Sequence, residues 1–205
     1  DGAINHMVSA PVLGFLFPAF DNRSTNIYNA LYYTKNIKES NEGLVAALFD
    51  TPIPKPAAEQ KKSFEALLTT ALGEECSMEV VQEVHNQICQ RIEMHKEAKM
   101  AEPLMIAKDD VKQVLKECGV SDNHVAKFSV DYDEAFGFEA DLHPKNVVDP
   151  KRFEIKTPDV SIKVAPDRSD LIETRIIGGV KYILICADEN VEVNGVSIRI
   201  TEENS

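Results

Sequence analysis

Leu171-Ile-Glu-Thr-Arg-Ile-Ile-Gly-Gly-Val-Lys-Tyr-Ile-Leu-Ile-Cys-Ala187 sets two runs rich in β-branched and aromatic residues on either side of Gly178-Gly179. Paired glycines accept the positive φ that a tight turn needs, so the spacing predicts a hairpin of 171–177 with 180–187. Downstream, Val191-Glu-Val and Val196-Ser-Ile-Arg-Ile flank Asn194-Gly195, a strong two-residue hairpin signal. Upstream, Phe153-Glu-Ile and Val160-Ser-Ile-Lys-Val read as further short strands. Residues 147–205 therefore predict five or six strands, mostly antiparallel. The likeness of Val-Ser-Ile-Lys-Val to Val-Ser-Ile-Arg-Ile is shared strand grammar, since one pair of five residues makes no repeat.

Before this region the period changes to that of a helix. Phe64, Leu67, Leu68, Ala71 and Leu72 fall on one helical face, with Gly73 as a stop. Ser77 starts a longer helix with Val81, Val84, Ile88 and Ile92 along one side. A third helix, about 108–118, buries Val111, Val114 and Leu115 and ends at Gly119. Ser121 caps a fourth, carrying Val125, Phe128, Tyr132 and Phe136. Helices followed by strands define an α+β chain: a helical layer of about four to six helices, then a small, mostly antiparallel sheet.

Three regions follow: an aromatic-rich segment, 1–50, packed on the helical region; the helical region, 51–146; and the β region, 147–205. Alternate prolines in Thr51-Pro-Ile-Pro-Lys-Pro56 form a stiff connector. At 205 residues with 43% apolar content, the chain can bury a real core. Its net charge of −12 disfavours phosphate backbones and anionic membranes, and no run of Lys or Arg supplies a basic patch. Four scattered cysteines without a Cys-x-x-Cys pair predict reduced thiols in a cytoplasmic protein. No apolar run is long enough to span a bilayer. The chain opens at Asp1 without a basic n-region, which reads as no secretory signal and as a piece of a longer protein.

Chemistry is densest at 13–33, which holds six of the fourteen aromatic residues around the polar hexad Asp21-Asn22-Arg23-Ser24-Thr25-Asn26. Ser24 or Thr25 is placed to cap a helix over about 27–34, with a second short helix at 44–49. Arg23 and the free N–H groups of that helix start would then meet an anion, Tyr28 or Tyr32 forming a wall. The same residue types favour a plain capped helix start without any ligand. Asp167-Arg-Ser-Asp170 repeats the theme, and Arg168 facing Arg23 would strengthen an anion site; most such loops are solvated turns.

The segment 111–136, with its Gly-Val-Ser turn, resembles the helix-turn-helix of bacterial repressors. Its second helix carries Asp122, Asp131, Asp133 and Glu134 against Lys127, the opposite of what phosphate contact needs. His85 and Cys89 share a helical face, but flanking Val84, Ile88 and Ile92 favour a packed thiol beside a histidine over a metal site. No nucleophile–base pair stands in a recognisable local frame, and no Gly-rich loop cradles phosphate.

The run from Val8 through Leu13-Gly-Phe-Leu-Phe-Pro-Ala-Phe-Asp-Asn-Arg-Ser-Thr-Asn-Ile-Tyr-Asn-Ala-Leu-Tyr-Tyr33 resembles domain-of-unknown-function family 4317, uncharacterised proteins of anaerobic Gram-positive (Firmicutes) bacteria. Likeness continues in Pro56-Ala-Ala-Glu-Gln60, Leu72-Gly-Glu-Glu-Cys76, Thr157-Pro-Asp159, Arg168-Ser-Asp-Leu171 and Val191-Glu-Val-Asn-Gly195, and covers nearly the whole chain. Family members are longer, so the resemblance is to their C-terminal portion. It implies no activity and no catalytic residue.

The expectation is a soluble, cytoplasmic, non-enzymatic binding or interaction module without cofactor or metal, its partner a protein or a small anionic ligand. The alternatives are a nucleic-acid regulator acting through 111–136, and part of an enzyme completed by a missing N-terminal region.

Overall fold

The computed structural model describes residues 10–21, 24–36, 39, 41–50, 53, 55–100, 102–138, 140–187 and 191–201. Its centre is helical. Helix α2 (Ala57–Leu72) buries Phe64, Leu67, Leu68, Ala71 and Leu72, the stripe that the sequence spacing predicts. It follows α1 (Glu42–Phe49) and stops at Gly73, whose φ of 51° is open to glycine without penalty. Helix α3 (Met78–Ala98) starts at Ser77, where the hydroxyl oxygen accepts the Val80 N–H at 3.3 Å.

Helix α4 (Lys108–Glu117) begins with the Asp110 carboxylate accepting the Ala107 N–H at 2.9 Å. At its far end the Val120 N–H reaches the Leu115 carbonyl at 3.0 Å and the Gly119 N–H the Lys116 carbonyl at 2.9 Å. With Gly119 at φ 80° and Val120 buried, this is a Schellman termination, and the chain turns directly into α5 (Asp122–Phe136). Phe128, Leu115, Ala71 and Leu72 are wholly buried where α2, α4 and α5 meet. Tyr132 is buried with them and donates its hydroxyl to the Ala140 carbonyl at 2.8 Å. The short α6 (Pro144–Val147) packs on α2 and α3 and adds Val147 to the same core.

The strands form antiparallel hairpins, and among the described residues every ladder has two strands. In the C-terminal region β5 (Phe153–Lys156) pairs with β6 (Ser161–Val164), and β7 (Ile172–Ile177) with β8 (Val180–Ile185). The last pair is β9 (Val191–Val193) with β10 (Val196–Ile198). Gly178 and Gly179 turn at φ 59° and 82°, and Asn194 and Gly195 at 52° and 80°, the left-handed geometry both signals require. The α+β class is as the sequence indicates, and no helix among the described residues is long and apolar enough to cross a membrane.

The first region corrects one expectation. Residues 27–34 do not form a helix capped by Ser24 or Thr25. Instead β1 (Leu13–Leu16) pairs with β4 (Leu31–Thr34), enclosing β2 (Ala19–Asp21) paired with β3 (Ser24–Asn26). The Asn26 side-chain oxygen accepts the Tyr28 N–H at 2.9 Å, so it closes an Asx-type turn between β3 and β4. Tyr32, Tyr33 and Thr34 suit a pleated surface, and a partner strand in register, Phe15 opposite Tyr32, outweighs a helix of barely two turns. Phe15 also meets Phe49 edge-on at 5.6 Å, joining this nested hairpin to α1.

Candidate binding cleft

The described residues place part of the set that sequence singles out. Asn22 and Arg23 lie outside the described residues, as do the side chains of Asp21 and Ser24, whose backbones stand opposite each other in the β2–β3 ladder. Thr25 and Tyr28 are exposed and Tyr32 is half-buried, while Asn26 is buried with its oxygen engaged in the turn. The residues that follow, 27–34, form a turn and a strand and not a helix, so the helix start that the anion argument needs is not formed there. Arg168 sits in the 3-10 turn Pro166–Leu171, with its Nε 3.4 Å from Asp170. Its neighbour Ser169 is buried, accepts from Gln82 at 3.0 Å and donates to Asn86 at 3.4 Å, fastening this turn to α3.

Helix α5 lies against α2 and α4, and Lys127 donates to the Thr70 carbonyl. A Ser–His–Glu group at its start braces the fold. Glu75 accepts the Ser121 N–H at 2.8 Å and lies 3.0 Å from His124 Nδ1, which is also 3.0 Å from the Ser121 hydroxyl. Both contacts use one ring nitrogen, so the imidazole cannot relay a proton from serine to carboxylate.

A cleft of about 480 Å³ opens between α2, α3 and the β5–β6 hairpin. Helix α2 contributes Lys61, Phe64, Glu65 and Leu68; α3 contributes Val81, Val84 and His85. Val147, Val148 and Asp149 close one end, and Arg152, Phe153, Glu154, Lys156 and Lys163 form the opposite wall. The back is apolar and tightly packed: Phe64, Val84, Val147 and Phe153 are all buried.

His85 anchors that back wall. Its ring meets Phe153 edge-on at 5.4 Å and its Nε2 lies 3.1 Å from the Asp149 carbonyl oxygen. A carbonyl only accepts, which assigns the proton to Nε2 and leaves Nδ1 to accept the Cys89 thiol at 3.6 Å. Burial, with the Asp149 charge in support, pushes that thiol up to about 11. The pair is thus a packed thiol beside a histidine ring engaged on both sides. Among the described residues no three His, Cys, Asp or Glu side chains gather as a metal-holding set.

The rim is ionic. Arg152 Nε holds Asp149 at 2.7 Å, and Lys156 and Lys163 share Glu154 at 2.9 and 3.7 Å. Lys61 lies 4.0 Å from Glu65. The Lys151 N–H and the Arg152 guanidinium hold the Asp149 carboxyl below the usual range, and Lys156 does the same for Glu154. Four cations thus face three carboxylates (Glu65, Asp149 and Glu154) in a protein of net charge −12. The lining carries one net positive charge, built by the fold from positions that never form a run.

The fold and cleft together define an α+β protein with a helical core and an open, cation-rimmed cleft. The chain belongs to the family described as Domain of unknown function (DUF4317), whose model matches residues 1–196. No curated protein and no solved structure matches it.

Proposed function

We propose that this chain is a soluble, cytoplasmic, bacterial binding protein without catalytic activity, and that it holds an anionic ligand at the cleft between α2, α3 and the β5–β6 hairpin. The observation that carries this reading is the pairing of Lys156 and Lys163 with the single carboxylate of Glu154. Two ammoniums sharing one carboxylate retain a unit of positive charge, and a cleft concentrates its field. Asp149 and Glu154 support a non-enzymatic role, because both are held below the usual range and make weak general bases. His85 has both ring nitrogens engaged. Three thiols packed against the core, Cys76, Cys89 and Cys118, fit a reducing compartment.

The test is a titration of the isotopically labelled protein with inorganic phosphate, followed by amide NMR. Shifts centred on residues 149–163 are expected, weakening as salt is added. Shifts spread evenly over the surface, or none at tens of millimolar phosphate, would overturn the reading.

A second reading, contact with a protein partner through the nested hairpin, is favoured by one observation. Phe15 and Phe20 on the two-stranded ladders, and Phe17 and Tyr28 in the connections between them, are each more than half exposed. A partner presenting an extended apolar segment suits this surface, with Thr25 and Tyr32 beside it. A photo-crosslinking residue at position 20 should give a discrete adduct that Tyr28→Asp abolishes. No adduct, or one insensitive to that change, counts against it.

A further inference from the structure

We infer that the ligand of this cleft is an amphipathic anion, a phosphate or carboxylate head carrying a short aliphatic or aromatic body. The inference rests on the anion reading above and adds the chemistry of the rest of the molecule. A bare head group fills only a small part of about 480 Å³, a volume in the range that accommodates whole small ligands. The walls also differ in kind. The β5–β6 hairpin carries Lys156 and Lys163, with Arg152 just before β5, whereas α3 presents Val81, Val84 and the ring of His85. Val84 is buried behind that wall, and Val81 is 36% exposed at its open side. A head seated at Lys156 and Lys163 therefore leaves its body facing Val81, where apolar contact removes hydrocarbon from water.

The polar alternative is a compact inorganic anion, for which the apolar side of the cleft does nothing. Chain length separates the two. Methyl, butyl and hexyl phosphate carry the same head and differ only in hydrocarbon, so calorimetric titration of the full chain with each reads the body alone. Affinity should rise roughly twofold per methylene, about half the effect of a fully buried methylene in logarithmic terms. Val81→Asn, which adds polarity without charge, should remove most of that rise, read as the ratio of hexyl to methyl phosphate affinity within the variant. Val81→Ser, a milder change at a side chain already a third exposed, should remove part of it.

Equal affinity for methyl and hexyl phosphate would overturn the inference and leave the anion reading standing. A rise with chain length that both Val81 variants retain would place the body elsewhere and also overturn it. Failure of all three phosphates to bind would remove the anion reading itself.

Discussion

Glu154 stands directly opposite Lys163 across the β5–β6 ladder, and its carboxylate is the shared counter-ion of Lys163 and Lys156. The site therefore carries its own competitor: any anion that docks on these lysines displaces, or shares them with, Glu154.

Glu154→Gln should strengthen anion binding. It removes the negative charge while keeping the size of the side chain, and it frees both ammoniums. Exposed ion pairs are weak and screened by solvent, so phosphate affinity should rise only modestly, by about two- to fivefold. The phosphate titration followed by NMR measures this directly. Unchanged or weaker binding would mean that the anion does not sit on these lysines.

His85→Ala tests the back wall. The substitution leaves the Asp149 carbonyl without its donor and removes the ring packed on Phe153. The expected loss is about 1–3 kcal/mol of stability in urea unfolding, with the fold retained. A change under about half a kcal/mol would show that the ring is not structural.

The brace between Glu75 and Ser121 sets a pH dependence. The Ser121 N–H, and then its hydroxyl and His124, hold the Glu75 carboxyl below its usual value. A carboxyl with a depressed folded value stabilises the fold above its unfolded value of about 4.3, and this contribution fades as pH falls through the folded value. The stability difference between wild type and Glu75→Gln should therefore be full at pH 7 and shrink on acidification. Chemical unfolding at several pH values reads it, and a difference that grows toward acid would contradict the assignment.

The elements were legible where local chemistry and tertiary packing agree. The stripe from Phe64 to Leu72, the Ser77 cap, the Gly119 turn and the two hairpin turns each need a residue type that few alternatives satisfy. Residues 27–34 misread because caps and Asx turns draw on the same side chains. Asn26 closes a turn, and the strand that decides the outcome, β1, lies more than ten residues upstream. Ser121 stands at the start of α5 as expected, but its hydroxyl turns to His124 and does not cap the helix. The cleft was hidden for another reason. Lys61, Arg152, Lys156 and Lys163 come from one helix, the turn before β5 and two strands, so no short window of sequence contains them together. The one local trace is Glu154-x-Lys156, which alternation places on a single face of β5, with Lys163 opposite Glu154 across the ladder.

The central claim is that Lys156 and Lys163 bind an anion at this cleft. Calorimetric titration of hexyl phosphate into wild type and into the Lys156→Gln, Lys163→Gln double variant tests it most directly. The account predicts saturable binding to the wild type that weakens tenfold or more in a variant of unchanged fold. Equal binding by the two proteins would contradict it.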